Sequence, residues 1–315
     1  MREEGVEVER LRKVFGKKTA LEEVSFTVEP GAVVGLLGPN GAGKTTTVNC
    51  LSTLLPLDGG RASVAGHDVA GDPAGVRASI ALTGQFAAVD DMLTGRQNLV
   101  LFGRLLKLDR RAAAARAAEL LDGFRLGDAA DQPVKSYSGG MRRRLDLAAG
   151  LVVKRPVLFL DEPTTGLDPV GRQEMWDMVE GLRAEGVTLL LTTQYLEEAD
   201  RLADRIVVID HGRVIAQGTP GELKNQVGGQ VCEVRAEPRE RTLRVLRERF
   251  GDVAESGGGV VTVRGADPGT LTDVVTVLRE AGITADDIRL RRPTLDEVFF
   301  TLTGAKADRE HEEVG

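Results

Sequence analysis

Gly38-Pro39-Asn40-Gly41-Ala42-Gly43-Lys44-Thr45-Thr46 lies between an apolar run at 32–37 and a segment that suits a helix as far as Leu55. This order predicts a strand, a phosphate-binding loop and a helix. The glycines allow backbone N–H groups to turn inward, and a helix that begins at Lys44 adds the positive end of its dipole. We expect Lys44 to reach the β and γ phosphates of a nucleoside triphosphate, and Thr45 to ligate Mg²⁺. A glycine-rich turn that matches by chance is the alternative, and the complete pattern in its context argues against it.

The composition is that of an ordinary globular protein, with 42% hydrophobic and 28% charged residues. A length of 315 residues predicts two domains, or one large domain with an appendage. The net charge of −7 argues against nucleic acid as a partner, because surfaces that bind nucleic acid are more often basic. Two cysteines, Cys50 and Cys232, have no metal-site spacing and fit a reducing compartment.

The sequence also bears on cellular location. No apolar run approaches the roughly 18 residues that cross a bilayer. The first residues, Met1-Arg2-Glu3-Glu4, do not resemble a signal peptide. We therefore expect a cytoplasmic protein that reaches a membrane only through a partner.

Two residues close to the loop in sequence could contact a nucleotide. Phe15 lies at the tip of a hairpin predicted from 6–15 and 21–28, where its ring could stack on a purine or be an ordinary exposed phenylalanine. Gln85 directly follows a buried strand predicted at 80–83. Its amide could ligate Mg²⁺, hold the attacking water, or be solvated in a loop.

A second glycine-rich helix start follows a mostly helical insertion. The helical pattern covers 94–126 and leads into Tyr137-Ser138-Gly139-Gly140-Met141. Because glycines again precede helix-forming residues, this start could also bind an anion. One chain with two such starts indicates that two chains share their nucleotides.

Two acidic residues end an apolar strand. The run Val157-Leu158-Phe159-Leu160-Asp161-Glu162-Pro163 predicts a central parallel strand that ends in carboxylates. Adjacent acids at such a strand end are costly unless they serve a site, and a solvated loop end is the alternative. We assign Asp161 to Mg²⁺ and Glu162 to the base that polarises water beside the γ phosphate.

Two more residues are expected near the carboxyl edge of the sheet, where these acids lie. Asp168, in the turn Gly166-Leu167-Asp168, is expected to cap a helix and is assigned to the nucleotide site. Gln194 ends the strand predicted at 187–193, at the carboxyl edge where ligands collect.

These motifs, in this order and spacing, resemble the ATP-binding cassette subunits of ABC transporters, and the resemblance covers 1 to about 225. Two further stretches, 191–200 and 294–299, resemble the daunorubicin/doxorubicin-resistance ATPases of actinobacterial exporters. The resemblance implies that Ser138 and Gly140 contact the γ phosphate bound by a second subunit, and that Gly139 belongs to the same nucleotide site, so that two ATP molecules hold a dimer together.

The sequence departs from the family pattern at three positions. Tyr137 replaces the usual leucine and Met141 the usual glutamine at the two ends of the signature. Gln194 replaces the usual switch histidine, which puts the standard account of γ-phosphate sensing in doubt.

The predicted fold is α/β: a P-loop NTPase ATP-binding cassette with a mixed sheet core and an α-helical subdomain, followed by a small α+β domain. The cassette is assigned to 1–225, with its helical subdomain at about 86–155. The order βαββαβ within 226–304 predicts a ferredoxin-like domain. The charged residues 305–315 are expected to form a disordered tail.

The predicted function is ATP hydrolysis that drives a separate membrane permease, with ATP and Mg²⁺ as cofactors. The subunit is expected to pair with a second cassette, as a homodimer, to act at the inner face of the cell membrane, and to export a hydrophobic drug or secondary metabolite. Two alternatives remain: a soluble cassette protein of translation or DNA maintenance, and a regulatory nucleotide switch with little turnover. The first usually has two cassettes or a coiled-coil arm, neither of which is apparent; Gln194 keeps the second open.

Overall fold

The computed structural model describes residues 5–83, 89–226, 230–256 and 259–299. The chain divides into two compact units, Met1–Gln217 and Gly218–Gly315, a division that precedes the boundary predicted after residue 225. Gln85 and the predicted tail at 305–315 lie outside the described residues. No helix in the described part of the chain is long and apolar enough to cross a bilayer.

The first unit contains two sheets and the helices around them. In chain order its elements are β1 (Val6–Phe15), β2 (Lys18–Val28), β3 (Val33–Leu37), α1 (Lys44–Leu51), β4 (Gly59–Val64), β5 (His67–Asp68), α2 (Pro73–Ser79), β6 (Ile80–Thr83), α3 (Gly95–Leu105), α4 (Arg110–Gly123), α5 (Gly139–Gly150), β7 (Val157–Asp161), α6 (Pro169–Ala184), β8 (Thr188–Thr193), α7 (Leu196–Leu202), β9 (Arg205–Asp210) and β10 (Arg213–Gly218).

A six-stranded sheet with the order β10-β9-β3-β8-β7-β6 forms the centre of this unit. The strands from β9 to β6 pair in parallel, so their carboxyl ends share one edge. Side chains of β7 alternate between the two faces. Leu158 and Leu160 pack with the helical insertion, whereas Val157 and Phe159 pack towards the second sheet. The prediction of a central strand that is buried on both faces is confirmed.

The second sheet has the order β2-β1-β4-β5 and is antiparallel. The predicted hairpin is confirmed, with β1 and β2 joined at Gly16-Lys17 and Phe15 paired with Lys18 at its tip. Strand β2 begins at Lys18 rather than at Leu21, because the tight turn lets pairing start at once.

The loop between β3 and α1 has the backbone that its glycines predict. Gly43 adopts φ 112°, and a Cβ atom there would lie 2.6 Å from Leu21 Cδ2, so only glycine fits. Helix α1 begins at Lys44 as predicted but ends at Leu51 rather than near Leu55. The helix cannot continue because Thr53 takes a left-handed conformation, with φ 65°.

The helical insertion lies between β6 and β7. The pattern predicted over 94–126 forms two helices, because Lys107 takes φ 69° and Asp109 then caps α4 by accepting a hydrogen bond from the Ala112 N–H. These helices share one apolar cluster with α5, α6 and one face of the central sheet.

The second unit contains α8 (Pro220–Gln226), β11 (Gln230–Ala236), α9 (Arg239–Phe250), β12 (Val253–Ser256), β13 (Val260–Ala266), α10 (Pro268–Glu280) and β14 (Ala285–Arg291), then a helical segment at 295–299. Its sheet has the order β12-β13-β11-β14, with all three pairings antiparallel. Helices α9 and α10 contribute Leu246, Val274 and Leu278 to a core cluster with the sheet. This is the split βαβ arrangement, so the predicted ferredoxin-like topology is confirmed.

Candidate active site

The ammonium group of Lys44 lies among oxygen atoms at the start of α1. It donates hydrogen bonds to the carbonyls of Gly38 at 2.8 Å and Pro39 at 3.1 Å, and lies 3.3 Å from Glu162 Oε1. The side chain is only 4% exposed. The loop after β3 and the acids at the end of β7 meet because parallel strands end at one edge of the sheet.

Asp161 is held by two hydroxyl groups. Thr45 Oγ1 donates to Asp161 Oδ1 at 3.2 Å, and Thr192 Oγ1 donates to the same oxygen at 2.5 Å. The hydroxyl of Thr192 also accepts the backbone N–H of Glu162 at 3.0 Å. Sequence reasoning did not identify Thr192; its only signal is that it lies two residues before Gln194 on β8.

Glu162 has a strained backbone and a well-supported side chain. Its φ of 49° is left-handed, which costs a residue other than glycine about 1–2 kcal/mol. Thr165 Oγ1 donates to Glu162 Oε2 at 3.2 Å, and the Lys44 ammonium group lies beside the other oxygen. Strain of this kind is concentrated at functional sites, where the surroundings enforce one geometry.

A cavity of about 540 Å³ opens beside these groups. Loop residues, Glu162 and Phe15 line it together with residues that sequence reasoning did not identify, namely Lys18, Thr19, Ala20, His211 and Gly212. These residues come from β2 and from the turn between β9 and β10, which are distant in sequence from the loop. The Gly212 N–H donates to Ala42 O at 2.9 Å, so that turn is fastened to the phosphate loop. The Phe15 ring is 47% exposed, with the Lys13 ammonium group 5.5 Å from its centre.

Among the described residues, Ser138, Gly139, Gly140, Asp168 and Gln194 do not line this cavity, and neither do four residues of the loop and of β7, namely Gly38, Pro39, Ala42 and Asp161. Ser138 caps α5 by accepting the Met141 N–H at 3.2 Å, and Cβ atoms at Gly139 and Gly140 would meet open space. Asp168 caps α6 by accepting the Gly171 N–H at 2.7 Å, as expected. Gln194 is half-buried directly after β8.

The two departures in the signature have a packing explanation. Tyr137 is buried in the helical cluster, and its hydroxyl donates to Ala129 O at 2.7 Å. Burial raises the pKa of the Tyr137 phenol. Met141 packs against the same cluster. Both side chains therefore serve the helical insertion and leave the Ser138-Gly139-Gly140 segment, whose first two residues are exposed, unchanged.

The phosphate loop follows β3 of a parallel sheet and faces two carboxylates at the end of β7, from which β3 is separated by β8. This arrangement defines a nucleotide-binding protein of the P-loop class. The family model described as ABC transporter matches residues 21–165.

Several proteins are similar to this one over nearly the whole chain. Daunorubicin resistance ATP-binding protein DrrA2 of Streptomyces coeruleorubidus is 55% identical, with 96% of each chain covered. Doxorubicin resistance ATP-binding protein DrrA of Mycobacterium tuberculosis is 51% identical, with 95% of this chain and 93% of that protein covered. Nod factor export ATP-binding protein I of Ralstonia nicotianae is 40% identical, with 94% and 93% covered.

Solved structures of ABC transporter ATP-binding subunits are also similar to this chain. An ATP-binding subunit of an ABC transporter superposes with a TM-score of 0.63 at 30% identity, over 70% of this chain and 92% of that one. CbiO1 from Clostridium perfringens, part of the ABC transporter complex cbiONQ, gives 0.65 at 25% identity, over 78% and 95%. The protein belongs to the family of ABC transporter ATP-binding subunits, which are ATPases, and the predicted resemblance is confirmed.

We predict that Thr192→Val lowers kcat for ATP hydrolysis by about tenfold or more, because the Asp161 carboxylate loses a hydroxyl donor that orients it, and loss of a group that supports a metal ligand typically lowers activity about 10- to 100-fold. Steady-state ATPase assays of the purified protein measure this. Thr188→Val is the matched control: Thr188 is buried at the other end of β8 and accepts the Gly31 N–H at 3.0 Å. Equal rates in the two variants would contradict a role for Thr192 at the site.

Proposed function

We propose that this protein is the ATP-hydrolysing subunit of an exporter, that it dimerises on ATP, and that it drives a separate membrane permease for a hydrophobic drug or secondary metabolite. The observation that carries the proposal is the meeting of Lys44, Asp161 and Glu162 at one edge of the parallel sheet. Names of relatives at 40–55% identity, which refer to drug resistance and to export, support the choice of transport.

ATP binding would use the whole cavity. The N–H groups of the phosphate loop and the start of α1 favour the triphosphate, with Lys44 against its β and γ phosphates. Phe15, which also lines the cavity, offers a partly exposed ring on which adenine can stack.

Mg²⁺ fits the donors at this site. Thr45 Oγ1 and Asp161 Oδ1 are neutral and anionic oxygens 3.2 Å apart, and Mg²⁺ takes oxygen ligands together with phosphates and water. Among the described residues there is no group of three or more His, Cys, Asp or Glu side chains that could hold a metal, which favours a site completed by the nucleotide. A bound Mg²⁺ would neutralise charge on the β and γ phosphates.

Hydrolysis would use Glu162 as the general base. Its carboxylate accepts a proton from a water molecule that attacks the γ phosphorus, while the bond to the bridging oxygen of ADP breaks. Lys44 balances charge on the transferred group. Gln194, at the end of β8, would donate to the γ phosphate and accept from the attacking water, with Gln85 in a similar supporting role.

Dimerisation would bring the signature to a nucleotide. Ser138 and Gly139 are exposed, and the α5 helix start carries a dipole that favours phosphate. Ser138 and Gly139 do not line the cavity of their own chain. A second copy of the chain, oriented so that its signature faces this cavity, would place the exposed signature against the phosphates of the bound nucleotide.

Helix α3 offers a surface for the permease. Leu101 and Leu105 share one face at four-residue spacing, and Leu105 is 68% exposed. Met92 and Leu106, nearby in sequence, are also exposed. Large apolar side chains exposed together are typical of an interaction site, and the occupant we propose is the permease.

If ATP hydrolysis is coupled to transport by the permease, we expect ATPase turnover of the purified protein to rise severalfold when its permease is added in lipid vesicles. Rates measured with empty vesicles are the control. A protein that binds ATP but turns it over negligibly in both settings would instead be the regulatory switch that Gln194 leaves open.

We predict that Glu162→Gln keeps ATP binding, loses hydrolysis and accumulates an ATP-bound dimer, because only the proton acceptor is removed. Size-exclusion chromatography with Mg·ATP, and with Mg·ADP as control, tests this. A variant that stays monomeric and hydrolyses ATP at the parent rate would remove Glu162 from the mechanism.

We predict that Gln194→Ala binds ATP nearly as well as the parent but loses on the order of a hundredfold in kcat, the scale of one transition-state donor. Gln194→His should remain active and gain a dependence on pH near the imidazole pKa of about 6.5. ATPase rates across pH 5.5–8.5 measure both variants. An unchanged rate in Gln194→Ala would mean that this residue only shapes the strand end.

A further inference from the structure

We propose that Arg143 is a positioning residue that holds the Glu162 backbone in its strained conformation and so aims the carboxylate for catalysis. The inference rests on the proposed role of Glu162 as base. Arg143 lies on α5, whose first turn is the exposed signature, whereas Glu162 directly follows β7.

The guanidinium group of Arg143 binds three consecutive carbonyl groups. Its Nε donates to Pro163 O at 2.9 Å, and its Nη2 donates to Asp161 O at 3.1 Å and Glu162 O at 3.3 Å. The planar fork of arginine can serve several acceptors at once, which a lysine ammonium group does with less directional control. One side chain therefore fixes the peptide groups on both sides of Glu162.

This contact lies in a buried setting. The Arg143 side chain is 14% exposed, and Nη1 lies 3.5 Å from Asp146 Oδ2, itself buried on the same helix. Burial lowers the pKa of the guanidinium group, and the charge of Asp146 opposes this. A buried cation is costly unless hydrogen bonds and a counter-charge compensate it, and here the carbonyls and Asp146 do so.

The strand end needs this support because Glu162 takes φ 49°. Its N–H is fixed from one side by Thr192, at 3.0 Å from Oγ1. Arg143 fixes its carbonyl from the other side. With both peptide groups held, the direction of the Glu162 side chain is set by two elements that are far apart in sequence.

A contact made at the start of α5 can therefore bear on the catalytic carboxylate of the same chain. Arg143 lies five residues after Ser138, about 7–8 Å along the helix axis. A small shift of α5 would be carried to the carbonyls of 161–163 through the Arg143 side chain.

Arg143→Gln and Arg143→Lys test the proposal, with Arg144→Gln as matched control. Arg144 is the next residue of α5, is 13% exposed, and pairs with Glu174 of α6 at 2.8 Å rather than with β7. We expect Arg143→Gln to lower kcat about 10- to 100-fold with KM for ATP within about twofold, and Arg143→Lys to recover part of the loss. We expect Arg144→Gln to keep kcat within about threefold.

A double mutant separates positioning from general damage to the fold. If Arg143 acts through Glu162, adding Arg143→Gln to Glu162→Gln lowers the residual rate little further, because the aimed group is already gone. Losses that multiply in the double mutant, or an unchanged kcat in Arg143→Gln, would overturn the proposal.

Amide hydrogen exchange gives a readout that does not depend on hydrolysis. Arg143→Gln should speed exchange in a peptide covering 160–167 by about tenfold or more, whereas Arg144→Gln should not. Equal exchange in both variants would overturn the positioning role even if Glu162 proved to be the base. Normal activity of Glu162→Gln together with fast exchange in Arg143→Gln would overturn the proposed mechanism while leaving the positioning contact intact.

Discussion

Asp161 and Glu162 place two carboxylates side by side at the end of a strand that is buried on both faces. Such a pair is unfavourable in a low-dielectric setting unless donors and a positive charge surround it. Here the donors come from α1, from β8 and from the turn after β7, and the charge comes from Lys44. The parallel strands of the central sheet bring these elements together, because they end at this edge.

The same edge contains two residues with unusual backbone conformations. Gly43 takes a backbone conformation that leaves no room for a Cβ atom, and Glu162 takes a left-handed conformation at a cost of about 1–2 kcal/mol. The sheet and the apolar clusters on its two faces provide the rigid support that such conformations require. The geometry of Gly43 and Glu162 thus depends on packing some distance from either residue.

Helix α5 connects an exposed segment of the chain with the backbone at the end of β7. Its first turn presents Ser138 and Gly139 to solvent, and its second turn carries Arg143 to the carbonyls that follow β7. Tyr137 and Met141 anchor the start of this helix in the apolar cluster of the insertion. The residues that distinguish this signature from the usual one are therefore those that fix the helix, whereas Ser138-Gly139-Gly140 is unaltered.

The sequence alone determined the phosphate loop, the acidic strand end and the order of elements in both units, because these depend on local patterns: glycine spacing, apolar runs and helix caps such as Asp168. It also predicted that Gln194 would lie at the carboxyl edge. It could not identify Thr192, Arg143 or the turn at His211 as neighbours of the site, since the local sequence around a threonine, an arginine or a histidine does not show which distant element its side chain contacts. Those contacts join residues on different elements, up to about two hundred positions apart, and strand order and packing bring them together.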